Sequence, residues 1–575
     1  MNPAFLLAHF DRISDAPEAI LRLRQFVLEL AVRGKLVDRD PKDETVSALL
    51  DRIRREKEER VKAGHMNKQG CLPEVGTDEK CFDIPKSWHW VRLGTITQVL
   101  MGQSPPGETY NKVGDGIPLI NGPVEFTEGP FGKTFVNQYT TAPTNLCEEG
   151  DLLLCVRGST TGRTNIAGFR ACIGRGVAAI RPFFADEYVR LFIWRQRASI
   201  IAMGRGIAFP SVGRQQIEKL PIPLPPLGEQ HRIVSKVNEL MGLCDRLQAA
   251  RADRENRRDR LAAASHHYLN NGASEKGFQA QARFYFSHLP CLSTRLTHIQ
   301  QLRQTILNLA VRGKLVSPES AEDDARALLV SIDAERKRRI DIGQIKQPGP
   351  LKTRGNETEF DYPVPPRWIF CFVDDIAIKV TDGEHATPMR CQSGFYLLSA
   401  RNVTNNGIDV SDVDYVPQEE YTRIRKRCDP DKGDILISCS GSIGRIAVVD
   451  QDDTYTMVGS AALIKLDTSS INPKFIAYTL RASSAQEQIK LYSKSTAQAN
   501  LFIGAIRKLR LPLPPLAEQH RIVAKVDELM AICDRLEAQL AIAQTETSRL
   551  LEAVLHQALD SSDRAPELKG LLAGA

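Results

Sequence analysis

"LPPLGEQHRIVSKVNELMGLCDRLQA" occupies Leu224–Ala249, and "LPPLAEQHRIVAKVDELMAICDRLEA" occupies Leu513–Ala538, 289 residues further on. Twenty of the 26 aligned positions are identical, the differences falling at 228, 235, 238, 242, 243 and 248. A second block is also written twice, "LRQFVLELAVRGKLV" at Leu23–Val37 and "LRQTILNLAVRGKLV" at Leu302–Val316, with fainter similarity running on to Gly64 and Gly343. An internal repeat governs the fold before any local feature does. The chain reads as block, insert, block, twice over: a helical block at 1–64, an insert at 65–223, a central region of two helices at 224–343, a second insert at 344–512, and a final helix and tail at 513–575.

The blocks carry helical periodicity. Ile20, Leu23, Val27 and Leu30 are spaced 3, 4, 3, as are Ile299, Leu302, Ile306 and Leu309, and Gly34 and Gly313 are placed to cap each helix. In the other block the prolines of "PIPLPPL" and its counterpart favour an extended entry, so a helix can start just past Pro226 and Pro515. Glu229 and Glu518 then fall in its first turn, where the macrodipole favours an acid. Beyond them Ile522, Val526, Leu529, Cys533, Leu536, Leu540, Ala543, Thr547, Leu550 and Val554 alternate spacings of 4 and 3, a heptad seam. The first copy repeats it through Ile233, Val237, Leu240, Cys244 and Leu247, then meets Arg251, Arg254 and Arg258, so its partner there must differ or the pairing must loosen. Such helices, about 40 residues long, would span roughly 60 Å, more like a spacer than a core element. Ordinary core packing also accounts for any single apolar stripe.

The inserts are strand-rich. Both open on an X-Pro turn, a Trp (Trp88, Trp368) and a strand-like run. Both later show Gly-Asp, a β-rich apolar run, a Gly/Ser/Thr turn and a basic residue, in "GDLLLCVRGSTTGR" and "GDILISCSGSIGR". The expected class is α+β.

Known catalytic signatures are missing. The Pro-Pro contexts do not match the Asn/Asp-Pro-Pro-aromatic motif with which an adenine methyltransferase holds a flipped base. The nearest approach to a phosphate loop, "TEGPFGKT", has Thr127 where the first glycine belongs. There is no HExxH or GxSxG, and His266-His267 reads as a structural or solvated pair. The 12 cysteines are scattered without zinc spacing and read as reduced and packed, so no metal is expected. A net charge of +6 permits nucleic-acid binding without arguing for it. No run of about 18 apolar residues or basic leader occurs, so a cytoplasmic location without membrane attachment is expected.

The doubled motifs "LPPLxEQ"–"RIVxKVxELM" and "LAVRGKLV", alternating with two dissimilar inserts, resemble the specificity subunit of type I restriction-modification systems over nearly the whole chain. The resemblance implies two mixed α/β target recognition domains joined by long helices in an antiparallel coiled coil, with pseudo-twofold symmetry. It implies a non-catalytic subunit that binds double-stranded DNA at an asymmetric bipartite target. Its partners would be two adenine methyltransferase subunits and two restriction subunits, with S-adenosylmethionine, ATP and Mg²⁺ held by those partners. Glu229, Gln230, Ile233, Val237, Leu240, Leu247, Leu302, Ile306, Leu309, Glu518, Gln519, Ile522, Val526, Leu529 and Leu536 become the expected coiled-coil and docking positions. The block preceding the first insert resembles a circularly shifted layout, so the helix near Leu23 is expected to pack by the C-terminal one.

Base edges are read by Arg, Lys, Asn, Gln and hydroxyl side chains, and phosphates by basic groups and loop amides. In the first insert the candidates are Gly102, Gln103, Ser104, Tyr110, Asn111, Arg157, Ser159, Thr160, Arg163 and Arg205. In the second they are Thr381, Asp382, Gly383, His385, Arg401, Asn402, Ser440, Ser442, Arg445, Lys494, Gln498 and Asn500. A plain turn or solvated surface accounts for any one of these taken singly. The repeat also fits a different class, a duplicated coiled-coil scaffold that binds proteins through its inserts and never meets DNA.

Overall fold

The computed structural model describes residues 13–68, 70–184, 186–204, 211–271, 275–319, 324–347, 349, 362–493 and 499–560. The chain divides into two units, each assembled from both copies of the repeat: Met1–Asp253 with Gln544–Ala575, and Arg254–Ala543. Its principal helices are α1 (Ala19–Val32), α2 (Val46–Lys62), α3 (Leu227–Asn271), α4 (Leu296–Ala310), α5 (Ala325–Asp341) and α6 (Leu516–Asp560). The long helices α3 and α6 start where the proline-marked entries end, and each runs 45 residues.

In the first unit a four-stranded antiparallel sheet has the order Thr97–Met101, Val177–Pro182, Leu152–Cys155, Thr164–Ile166. Both its faces are covered, so its strands read as continuous apolar runs. Leu152, Leu154, Ala178 and Ile180 face a helical layer that includes Val27 and Leu28 of α1 and Leu49 and Ile53 of α2. Leu153, Cys155, Val177 and Ala179, one residue out of phase, face a second, five-stranded sheet. The insert begins and ends side by side, because His89–Arg92 pairs with Pro221–Leu224.

The second unit repeats this plan with the order Ala377–Asp382, Ala461–Leu466, Ile435–Ser438, Ile446–Val448. Ile435, Ile437, Ala462 and Ile464 face the helices, and Leu436, Ala461 and Leu463 face the second layer. Ile369–Phe372 pairs with Arg510–Leu513 to close the insert.

Several contacts recur in both units. Trp88 Nε1 donates to the Glu229 carboxylate at 3.0 Å, and Trp368 Nε1 to Glu518 at 3.0 Å. The Arg24 guanidinium bonds Asp245 and Gln248, and that of Arg303 bonds Asp534 and Glu537. Gly34 and Gly313 adopt φ +65°, and an added Cβ would stand 2.5 Å from Pro85 or Pro365. The helix cap and the start of the insert are thereby locked together. Lys57 of α2 donates to the Gly94 carbonyl, as Arg336 of α5 does to that of Asp374. Burial lowers the Lys57 ammonium to about 8.

The α1 helix packs Phe26 and Leu30 against Leu551, Val554 and Leu555 of α6 within the first unit. Lys35 Nζ caps the end of that contact on the Leu559 carbonyl at 2.6 Å. The break in the α3 heptad seam has a local cause. Arg251 turns to the carbonyls of Ser14, Asp15 and Ala16 in the first unit. In the second, Arg258 bonds Glu255 and Thr294. Arg251 and Arg258 thus spend their guanidinium groups on backbone carbonyls and polar side chains instead of entering an apolar seam.

Candidate nucleic-acid interface

Sheet register brings separate loops to one end of each domain. In the first, Met101 lies opposite Ala178, Val177 opposite Cys155 and Leu154 opposite Thr164. The segments 102–104, 156–163 and 174–176 therefore leave the sheet at the same end. Backbone bonds tie them: Gly102 N to Val177 O at 2.8 Å, Val156 N to Gly176 O at 2.9 Å, and Val212 N to Val156 O at 2.9 Å. In the second domain Asp382 lies opposite Ala462 and Ser438 opposite Ala461. The same ties recur as Cys439 N to Ser460 O at 2.8 Å and Leu501 N to Cys439 O at 2.9 Å. The frame is duplicated even where the side chains on it differ.

The first loop end gathers Gln103, Ser104, Arg157, Ser159, Thr160 and Arg163. Gln103, Arg157 and Ser159 are exposed, and Ser104, Thr160 and Arg163 are half-buried. Arg163 donates to the Thr127 carbonyl at 3.4 Å and lies 6.0 Å from the Phe126 ring centre. Ser104 Oγ accepts from the Arg175 amide at 3.2 Å. No carboxylate among the described residues pairs with Arg157, Arg163 or Arg175, so three guanidinium charges stand uncompensated on this loop end. Gly102 plays a different part: an added Cβ would lie 2.1 Å from the Gly174 carbonyl oxygen, so the close approach of two backbones demands glycine. Tyr110 and Asn111 belong to the second sheet, paired with Thr140 and Tyr139. There the Asn111 amide closes its own turn on Asp115.

The second loop end gathers Asp382, His385, Ser440, Ser442, Arg445 and Asn500, the last bridged to Ser440. Ser442 and His385 are exposed, and Thr381 and Arg445 half-buried. Gly383 repeats the role of Gly102, its missing Cβ 2.3 Å from the Met457 carbonyl oxygen. Arg401 ion-pairs with Asp414 at 3.2 Å and Asp412 at 3.5 Å. Asn402, expected among base-reading side chains, is corrected: it is 2% exposed, and its amide holds a loop by bonds from Ser399 and to the carbonyls of Asp409 and Asp412. Arg205, Lys494 and Gln498 lie outside the described residues.

One correction concerns the repeated blocks. Glu229, Gln230, Glu518 and Gln519, expected on a docking surface, are 0–2% exposed. Their side chains face inward, the glutamates to Trp88 and Trp368 and the glutamines to the carbonyls of Pro225 and Pro514. Near-identity at these positions is a packing requirement, and of the "EQHR" tetrapeptides only His231 and His520 are exposed. Ile233, Val237, Leu302, Ile306, Leu309, Ile522 and Val526 are buried. Leu240, Leu247, Leu529 and Leu536 are half-buried along the same stripes.

Sequence reading passed over Arg175, Arg423 and Arg427. Arg175 sits in a Gly-Arg-Gly turn that could have marked it, whereas Arg423 and Arg427 fall in a charge run without any local sign. Burial pushes Cys155 up to about 11 and Cys439 up to about 12, which keeps both as packed thiols. Among the described residues no three His, Cys, Asp or Glu side chains are grouped to hold a metal, and no helix is long and apolar enough to cross a membrane.

Two like modules, each offering a varied loop end on a repeated frame, define a modular recognition protein. The type I restriction modification DNA specificity domain matches residues 85–253 and again 374–543. The EcoEI specificity subunit of Escherichia coli is 27% identical over 575 aligned residues, covering 94% of each chain. The EcoAI specificity subunit of the same organism is 27% identical over 560, again covering 94% of each. Among solved structures, the HsdS subunit from Thermoanaerobacter tengcongensis is 29% identical over 36% of this chain and 51% of that one, with a TM-score of 0.27. The chain belongs to the family of type I restriction-modification specificity subunits.

Proposed function

We propose that this chain selects the DNA target of a type I restriction-modification complex, each loop end reading one short half of an asymmetric bipartite site on double-stranded DNA. The observation that carries this is the pair of loop ends themselves. The same backbone ties recur in both domains, while the side chains they present differ, so each domain would recognise its own bases.

In this reading the long helices set the untouched spacer between the half-sites and hold two adenine methyltransferase subunits and the ATP-dependent restriction subunits. The chain is non-catalytic, and S-adenosylmethionine, ATP and Mg²⁺ belong to those partners. The buried state of Glu229, Gln230, Glu518 and Gln519 moves any docking contact to the exposed remainder of the repeated blocks.

The test is single-molecule sequencing of adenine methylation in a host carrying this gene and its neighbouring methyltransferase gene, against the same host lacking this gene. A two-part methylated motif that disappears on deletion is the expected result. If both proteins are made and associate but no such motif arises, the protein-binding scaffold takes the place of this reading.

A further inference from the structure

At the second loop end the helix Gln418–Arg425 and the turn after it bring two arginines onto the carboxylates of the 381–388 loop. They are held in different ways. Arg423 engages all three guanidinium nitrogens, Nε and Nη2 on Glu420 and Nη1 on Glu384 at 2.7–2.9 Å. It is a clamp between the helix and the loop. Arg427 bonds Asp382 through Nη2 alone, and its Nε and Nη1 have no partner among the described residues.

Asp382 is well placed to orient that group. It ends the edge strand Ala377–Asp382, its other oxygen is held by His385 Nε2 at 2.9 Å, and its side chain is only 17% exposed, against 50% for Arg427. The carboxylate is therefore the more buried partner, and the guanidinium it holds keeps about half of its surface open. A fork fixed from behind loses less rotamer freedom when it binds.

The charge of the pair selects the ligand. With Asp382 in direct contact, Arg427 offers little net charge to a phosphate; Nη2 spends one of its two hydrogens on Asp382, and its other hydrogen with the N–H beside it remains as one pair of parallel donors. That arrangement suits a neutral edge with two acceptors, which in the major groove is guanine O6 and N7. Arg157 and Arg175 of the first domain, with no carboxylate behind them, have the opposite character and suit phosphates.

We propose that Arg427 reads a guanine in the half-site of the second domain and that Asp382 is its positioning residue; the assignment rests on the loop ends being a DNA interface. The full chain, assembled with its methyltransferase partner, is titrated with duplexes carrying the two-part target found by methylation sequencing and with every single base-pair change in it. R427A is expected to weaken the target about 5- to 150-fold and to erase discrimination at one G·C pair of one half-site only. The other half-site stays discriminated, which reports an intact fold, and the salt dependence stays near that of the unaltered chain. R427K loses the same discrimination, because an ammonium keeps the charge without the fork. D382N reduces discrimination at that same pair and nowhere else.

Uniform weakening across all duplexes, with the salt slope lowered by about one and restored by R427K, would make Arg427 a phosphate contact and overturn the assignment. Unchanged binding by R427A would overturn it as well. Failure of the underlying DNA reading looks different, since the unaltered chain would then discriminate no duplex.

Discussion

His266 is held neutral by its surroundings. It is 6% exposed, its Nδ1 lies 3.0 Å from Thr305 Oγ1 and its Nε2 3.3 Å from the Tyr285 hydroxyl. Burial, with a smaller contribution from nearby His298, pushes it down from 6.5 to about 4. A depressed folded value means the unfolded chain takes up the proton first. The stabilisation is therefore complete above about pH 6.5 and is lost as pH falls toward 4, by about 3 kcal/mol in all. Chemical denaturation from pH 7 to 4.5 should show this loss in the second unit, and H266N should remove most of the excess slope; an unchanged slope would place the titration elsewhere. In sequence His266 and His267 are an undifferentiated pair. Only the packing of α4 and Tyr285 onto one of them separates a buried residue from an exposed one.

Among the elements, the junction between each insert and its long helix turns on the Trp–Glu bond. The Glu229 carboxyl is raised by burial, with the Trp88 N–H opposing that rise. W88F takes away the donor and leaves a buried carboxylate short of a partner, which costs about 1–3 kcal/mol. Because the chain has two units, the loss is best followed locally. Amide exchange in the paired strands His89–Arg92 and Pro221–Leu224 should quicken in W88F while Ile369–Phe372 and Arg510–Leu513 keep their protection. W368F should give the reverse pattern. Equal loosening of both pairs would argue against two separate latches.

At the scale of the whole molecule, the three uncompensated arginines of the first loop end should dominate salt dependence. R157A, R163A and R175A are each expected to lower the slope of log affinity against log salt by about one, weakening all DNA sequences alike. A loss confined to one base pair would make the residue concerned a base reader. Replacing the second insert, about Tyr362–Leu511, with that of another specificity subunit should change one half of the methylated motif and leave the other; altered methylation in both halves would refute modular reading. The arginines show how unevenly this interface was legible. Arg157 and Arg163 stand in a glycine-marked turn that sequence can flag. Arg427 lies 45 residues from Asp382, and nothing near it in the chain indicates that the two meet.

The sequence by itself determined the duplicated architecture, the helical blocks and the strand-rich inserts. A repeat of period near 280 and a spacing of 3 and 4 are properties of the chain alone, independent of what it packs against. Only the tertiary structure decided which repeated polar residues are internal, such as Glu229 and Gln519, and which loop residues are usable, such as Arg427 rather than Asn402. Burial and partnership depend on segments distant in the chain, and one side chain type serves equally as a latch, a turn closure or a reader until those segments are brought beside it.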